Sequence, residues 1–131
     1  MQATTIQPLG DELYDALLGC RTVEPLTSRY PDITIEDAYA IQQRLTQRRL
    51  AAGQRIIGKK IGVTSQAVMN MLGVDQPDFG MLTDTMVYDE GQAIPASALI
   101  QPKAEGEIAF LLKRDLQGPG VTAAEVLAST E

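Results

Sequence analysis

The sequence predicts an α+β fold. Three observations carry that expectation: the main helical periodicity within residues 1–53, a glycine-interrupted extended segment at 55–63, and strict alternation of side-chain type from Glu105 to Phe110. Together they divide the chain into an N-terminal helical region, 1–53, and a β-rich region, 54–131.

The first helix is expected between Gly10 and Gly19, where the pairs Leu13/Leu17 and Tyr14/Leu18 repeat at i,i+4 and give about one apolar face. Pro25, Ser28, Pro31 and Asp32 then interrupt periodicity and read as a linker. Thr34 opens a second helix through a Thr-x-x-Asp capping box closed by Asp37, with Ala38, Ile41 and Leu45 at helical spacing and Gly53 as the stop. Arg44, Arg48 and Arg49 lie toward the end of this helix, where its dipole favours positive charge, and read as a solvated face.

In the extended segment, the adjacent Lys59 and Lys60 must point to opposite faces of a strand, so only one of them can enter a given pocket. Thr64 or Ser65 can cap a short helix through Val68, Met69 and Leu72, ended by Gly73. Gln76-Pro-Asp-Phe-Gly80 reads as a turn, with Asp78 bonded to local amides. Asp89-Glu-Gly91 reads as a hairpin or tight loop. From Pro102 the strongest strand pattern begins, with Glu105, Glu107 and Ala109 on one face and Gly106, Ile108 and Phe110 on the other. Carboxylates at i and i+2 are about 6.6–7 Å apart along a strand and can share a cation. An edge strand with an exposed acidic face fits the same spacing. Near the end, Gly118-Pro-Gly120 is a turn and Thr122 to Glu125 a second capping box, opening a helix of about two turns, too short to stand without packing.

Composition narrows the chemistry. The 131 residues suffice for one modest core, with 44% hydrophobic and 21% charged residues, a globular balance. Net charge is −6 and the basic residues form no stripe with interleaved aromatics, so nucleic-acid binding is not expected. No apolar run approaches a membrane span and the N-terminus lacks a signal-peptide pattern, so a cytoplasmic protein is expected. Cys20 is the lone cysteine, which rules out an internal disulfide and reads as a small packed residue. Histidine is absent, which removes imidazole from both catalysis and metal ligation. Proton transfer must fall to carboxylate, lysine, tyrosine or water, and any metal must be held by oxygen, which favours magnesium, manganese or calcium.

Eight runs, in order, carry a family resemblance: Gly10-Asp-Glu-Leu-Tyr14, Pro25-Leu-Thr-Ser-Arg29, Glu36-Asp-Ala-Tyr39, Arg48-Arg-Leu-Ala-Ala-Gly53, Ile57-Gly-Lys-Lys-Ile-Gly-Val-Thr-Ser65, Met71-Leu-Gly-Val74, Gln76-Pro-Asp-Phe-Gly80, and Ile100-Gln-Pro102 leading to Glu105-Gly-Glu107. In these the sequence resembles the 2-hydroxypenta-2,4-dienoate (2-keto-4-pentenoate) hydratases, in the hydratase and decarboxylase branch of the fumarylacetoacetate hydrolase superfamily. The resemblance implies a mixed β-sheet or barrel-like core of which 54–131 is the first part, with the C-terminal half missing from these residues. It implies metal binding by Glu105 and Glu107, with magnesium or manganese as the ion and a third carboxylate beyond Glu131. Lys60 is then the pocket lysine for substrate carboxylate or proton transfer, and Asp78 an acid/base or water-orienting group.

The implied reaction is the hydration of 2-hydroxypenta-2,4-dienoate to 4-hydroxy-2-oxopentanoate in meta-cleavage degradation of aromatic compounds. It needs no redox cofactor: protonation at C5 and addition of water at C4 proceed through an enolate that the metal stabilises. A small 2-oxo or 2-hydroxy dienoic acid is the implied substrate. Self-association is implied, as is association with a sister decarboxylase or a pathway aldolase. The competing readings are 2-oxo-3-hexenedioate (4-oxalocrotonate) decarboxylase and a catalytically silent fragment or partner subunit. Asp78 and Lys59 favour the hydratase, because the decarboxylases tend to lack the acidic residue in the Pro77–Gly80 turn and to carry Gly-Leu-Lys where this chain has Gly58-Lys-Lys60.

Overall fold

A computed structural model describes residues 1–131 and confirms an α+β chain of helices and a two-stranded antiparallel sheet. The chain forms two compact units, Met1–Gln101 and Pro102–Glu131.

In the first unit, α1 spans Ala3–Leu18 and α3 spans Ile35–Ala51, with a single-turn helix α2, Leu26–Arg29, between them. The first helix begins well before Gly10 and runs through Pro8, and the expected linker contains a helical turn. Gly10 is therefore not a boundary but a packing residue. A Cβ placed there would lie 2.5 Å from both Cβ and Cγ of Arg44 and 2.9 Å from the Ile41 carbonyl oxygen. The absent side chain is what lets α1 and α3 cross closely. Leu9, Tyr14 and Ala16 from α1 and Ile41 from α3 form the buried apolar core. Gly10→Ala is expected to destabilise the protein by about 1–3 kcal/mol through overpacking against backbone-proximal atoms, read as a lower denaturation midpoint by circular dichroism.

Both reciprocal bonds of the Thr34/Asp37 capping box are made, each at 3.2 Å. The arginines of α3 are not a solvated face. Arg44 grips Asp11 with two bonds of 2.9 and 3.1 Å, and Arg48 reaches the same carboxylate at 2.8 Å while its guanidinium lies 4.5 Å above the Tyr14 ring. These hydrogen bonds, to Arg44 first and then Arg48, hold the Asp11 carboxyl below its ordinary pKa. Arg49 turns the other way and donates to Thr83 Oγ1 at 3.0 Å, and burial pulls its guanidinium pKa down. The periodicity of the helix is readable in the sequence, but the arginine partners lie 33 to 37 residues away and leave no local signal.

After Gly53 the chain extends into β1, Ile56–Gly62, turns through α4, Gln66–Leu72, and returns as β2, Asp78–Thr83. Ser65 is the residue that caps α4, accepting from the Val68 amide at 3.3 Å, and Gly73 closes it at φ 69°. The 76–80 segment is only half a turn: the bend falls at Asp75–Gln76, and Asp78, Phe79 and Gly80 are already strand. Pairing with β1 supplies the hydrogen bonds that a local turn would otherwise make, which is how tertiary context overrides turn propensity. Asp89–Gln92 forms the tight loop, closed by the Gln92 amide on the Asp89 carbonyl at 3.0 Å.

The second unit departs most from expectation. No strand forms at 102–110, where alternation is strongest, and Ile108 is 85% exposed. A ladder needs a neighbour, and the one available here lies just past that stretch. Leu112 bridges Thr130 antiparallel, the Lys113 amide donates to the Ser129 carbonyl at 2.8 Å and the Glu131 amide to the Leu111 carbonyl at 2.9 Å. The terminal helix α5, Ala123–Ala128, has the expected Thr122/Glu125 capping box, and Arg114 Nε donates to the fully buried Ser129 at 2.8 Å.

Candidate active site

The β1–β2 register decides how Lys60 and Asp78 are placed. Lys60 stands opposite Gly80 and Gly62 opposite Asp78. Directly opposed residues in an antiparallel pair share a face, as do residues two apart, so Lys60 and Asp78 lie on one face as diagonal neighbours, roughly 7–8 Å apart. The other residues of that face are Gly58, Gly62, Gly80 and Leu82. Lys60 thus rises from a floor of glycines, and a Cβ added at Gly62 would meet nothing within 4 Å. Such a floor admits a small ligand close to the backbone. Lys59 pairs with Met81 on the opposite face, beside Ile61 and Phe79, as the alternation rule requires.

Asp78 does not serve a local turn. Its Oδ1 accepts from the Tyr39 hydroxyl at 2.9 Å, and the Tyr39 oxygen in turn accepts from the Phe79 amide at 3.4 Å. The Tyr39 and Phe79 rings stack with centroids 4.8 Å apart and planes at 16°. Gln42, one turn on, donates to the Phe79 carbonyl at 3.3 Å. Burial, reinforced by the bond to Asp78, raises the Tyr39 phenol above its ordinary pKa, so it remains protonated and a donor. Tyr39 and Asp78 both line a half-open cleft of about 330 Å³, with Ile35, Ala38, Val63, Leu72, Val74 and Pro77 as mostly apolar walls and Gln42 and Gln76 as further polar groups. A mostly apolar cleft with a few converging polar groups is the ordinary form of a small-molecule site. The sequence pattern does not single out Tyr39 or Gln42 as site residues; their i,i+3 spacing on α3 is the one available signal.

Glu105 and Glu107 lie in the second unit, on an exposed stretch that is not a strand, so the shared strand face expected of them is not formed. Their oxygen chemistry suits a hard divalent ion. No group of three or more histidine, cysteine, aspartate or glutamate side chains in the chain is arranged to hold one, so these residues alone do not make a metal centre.

Fold and site together define an α+β segment in which a two-stranded ladder carries a lysine and a carboxylate on one face, and the carboxylate, with helix α3, lines a small cleft. No protein-family model matches the chain. It is 67% identical over 132 aligned positions to a 2-hydroxypent-2,4-dienoate hydratase of Pseudomonas putida, covering 100% of this chain and 60% of that protein. It is 58% identical over 128 positions to a 2-hydroxyhexa-2,4-dienoate hydratase of Comamonas testosteroni, covering 96% of this chain and 48% of that one. A solved 4-oxalocrotonate decarboxylase from Pseudomonas putida G7, complexed with magnesium and adipate, superimposes on all of this chain and 50% of its own with a TM-score of 0.94 at 33% identity. The chain belongs to the 2-hydroxypent-2,4-dienoate hydratase / 2-keto-4-pentenoate hydratase family, matching the N-terminal part of its members. It spans about half the length of the curated relatives it matches. No helix is long and apolar enough to cross a membrane.

Proposed function

We propose that the protein to which this chain contributes is a hydro-lyase that hydrates 2-hydroxypenta-2,4-dienoate to 4-hydroxy-2-oxopentanoate in meta-cleavage catabolism. The observation that carries the reading is the 67% identity, over the whole chain, to a hydratase, and the Lys60/Asp78 face gives that identity a chemical form.

In this reading the Lys60 ammonium binds the substrate carboxylate over the glycine floor, which is open at Gly62 and bordered by Leu82 at Gly58 and by Gln42 at Gly80. Asp78, two residues along the partner strand, orients water or moves a proton at the substrate's carbon chain. The mostly apolar cleft beside Asp78 suits a short unsaturated chain and limits the water around it. Glu105 and Glu107 are proposed as two of the ligands of magnesium or manganese, the rest coming from outside residues 1–131. Two ligands do not complete a metal site, so the steps that rest on this chain's own residues are substrate binding at Lys60 and proton handling at Asp78. The fumarylacetoacetate-hydrolase-like core, self-association, association with a sister decarboxylase or pathway aldolase, and a cytoplasmic setting that suits the free Cys20 belong to the same proposal.

The test is loss of dienol absorbance in the full-length protein with magnesium or manganese present, with formation of 4-hydroxy-2-oxopentanoate. The superposition on a decarboxylase favours a second reading, in which the same protein releases carbon dioxide from 2-oxo-3-hexenedioate. Carbon dioxide release without dienol hydration would replace the first reading with the second.

A further inference from the structure

We propose that Tyr39 is a positioning residue, fixing the orientation of the Asp78 carboxylate through the hydroxyl bond to Oδ1. The proposal rests on the hydratase reading of Asp78 and goes beyond it by assigning a role to a residue on another element.

Asp78 is the first residue of β2, exposed, and preceded by Pro77, so its side chain has little of its own to fix its torsions. Tyr39, by contrast, is anchored three ways. It sits on α3 in the turn after the Thr34/Asp37 capping box, its ring stacks on Phe79, and its oxygen accepts the Phe79 amide. Because that oxygen accepts a hydrogen bond from the Phe79 amide and a carboxylate can only accept, the single hydroxyl proton points at Asp78 Oδ1, 2.9 Å away. The direction of the bond is thereby determined, and the bond to a carboxylate is the strong, charge-assisted kind.

Simple fold clamping does not require this bond. The stack of Tyr39 on Phe79 and the bond from Gln42 to the Phe79 carbonyl already tie the start of β2 to α3. What the hydroxyl adds is a fixed carboxylate at the wall of the cleft, where a general acid/base needs defined geometry.

Tyr39→Phe removes the hydroxyl and keeps the ring. In full-length protein assayed with the dienoate and magnesium, kcat is expected to fall about tenfold, the effect of losing one charge-assisted hydrogen bond, while KM stays within about twofold. The thermal midpoint is expected to shift by no more than a few degrees. In an Asp78→Ala background the same change is expected to cost nothing further, since the group it orients is gone. Wild-type kcat in Tyr39→Phe while Asp78→Asn is slow overturns the positioning role and leaves the hydratase reading standing. So does a fall in kcat that only tracks loss of folded protein, or one that multiplies with Asp78→Ala. Wild-type kcat in Asp78→Asn itself removes the reading of Asp78 and the positioning role with it.

Discussion

Lys60→Ala in the full-length protein is expected to lower kcat/KM for the dienoate by about 10²-fold or more, while Lys59→Ala changes it by no more than a few-fold. The contrast follows from strand geometry. Lys59 and Lys60 are adjacent, yet the register sets Lys59 beside Met81 and Lys60 beside Gly80, on opposite faces of the ladder. Only the Lys60 face carries Asp78 and the glycine floor. A charged hydrogen bond to a substrate carboxylate contributes roughly 1.5–3 kcal/mol, and a share in proton transfer adds to it, which sets the size of the loss. Lys60 is half-buried on a two-stranded ladder, so a stability measurement is needed to separate lost folding from lost chemistry. Steady-state kinetics of the two variants beside a denaturation curve checks this. Equal losses in both would mean that the face of the strand does not matter, and Lys60 would lose its assigned role.

What is legible in the sequence is local. The Thr34/Asp37 and Thr122/Glu125 capping boxes, the Ser65 cap and the Gly73 stop all depend on neighbours within a few residues, and each forms as the pattern requires. What is not legible is tertiary. Gly10 resembles a helix boundary because glycine is a poor helix former, but the approach of Arg44, 34 positions on, gives it a packing role inside α1. Asp78 resembles a turn residue because proline precedes it, but β1 and Tyr39 make it a strand residue with a distant partner. The Glu105–Phe110 alternation has the period of a strand, yet no strand of these 131 residues pairs with it, and period alone does not make a ladder. The candidate site follows the same division. Lys60 and Asp78 come from family resemblance, and their common face follows from the pairing register, which no local pattern encodes.

Asp78→Asn is expected to cost more than any other single change at this face: a fall in kcat of about 10²–10⁴-fold, the range for loss of a general acid/base. The substitution is nearly isosteric and keeps an oxygen for the Tyr39 hydroxyl, so the stack on Phe79 and the Gln42 bond should persist and the fold with them. What it removes is the carboxylate's charge and its ability to take a proton. If Asp78 acts on a proton in the rate-determining step, the loss falls on kcat and little on KM, because substrate binding rests on Lys60 and the cleft. If Asp78 merely orients water, asparagine retains part of that function and the loss should lie at the lower end of the range. Measuring kcat and KM for Asp78→Asn and Asp78→Ala together separates the two roles: a proton-transfer role predicts similar losses in both, and an orienting role predicts that alanine is clearly worse. A kcat within about twofold of wild type in both variants, well below the loss expected of any acid/base group, would leave the cleft without its proposed chemistry.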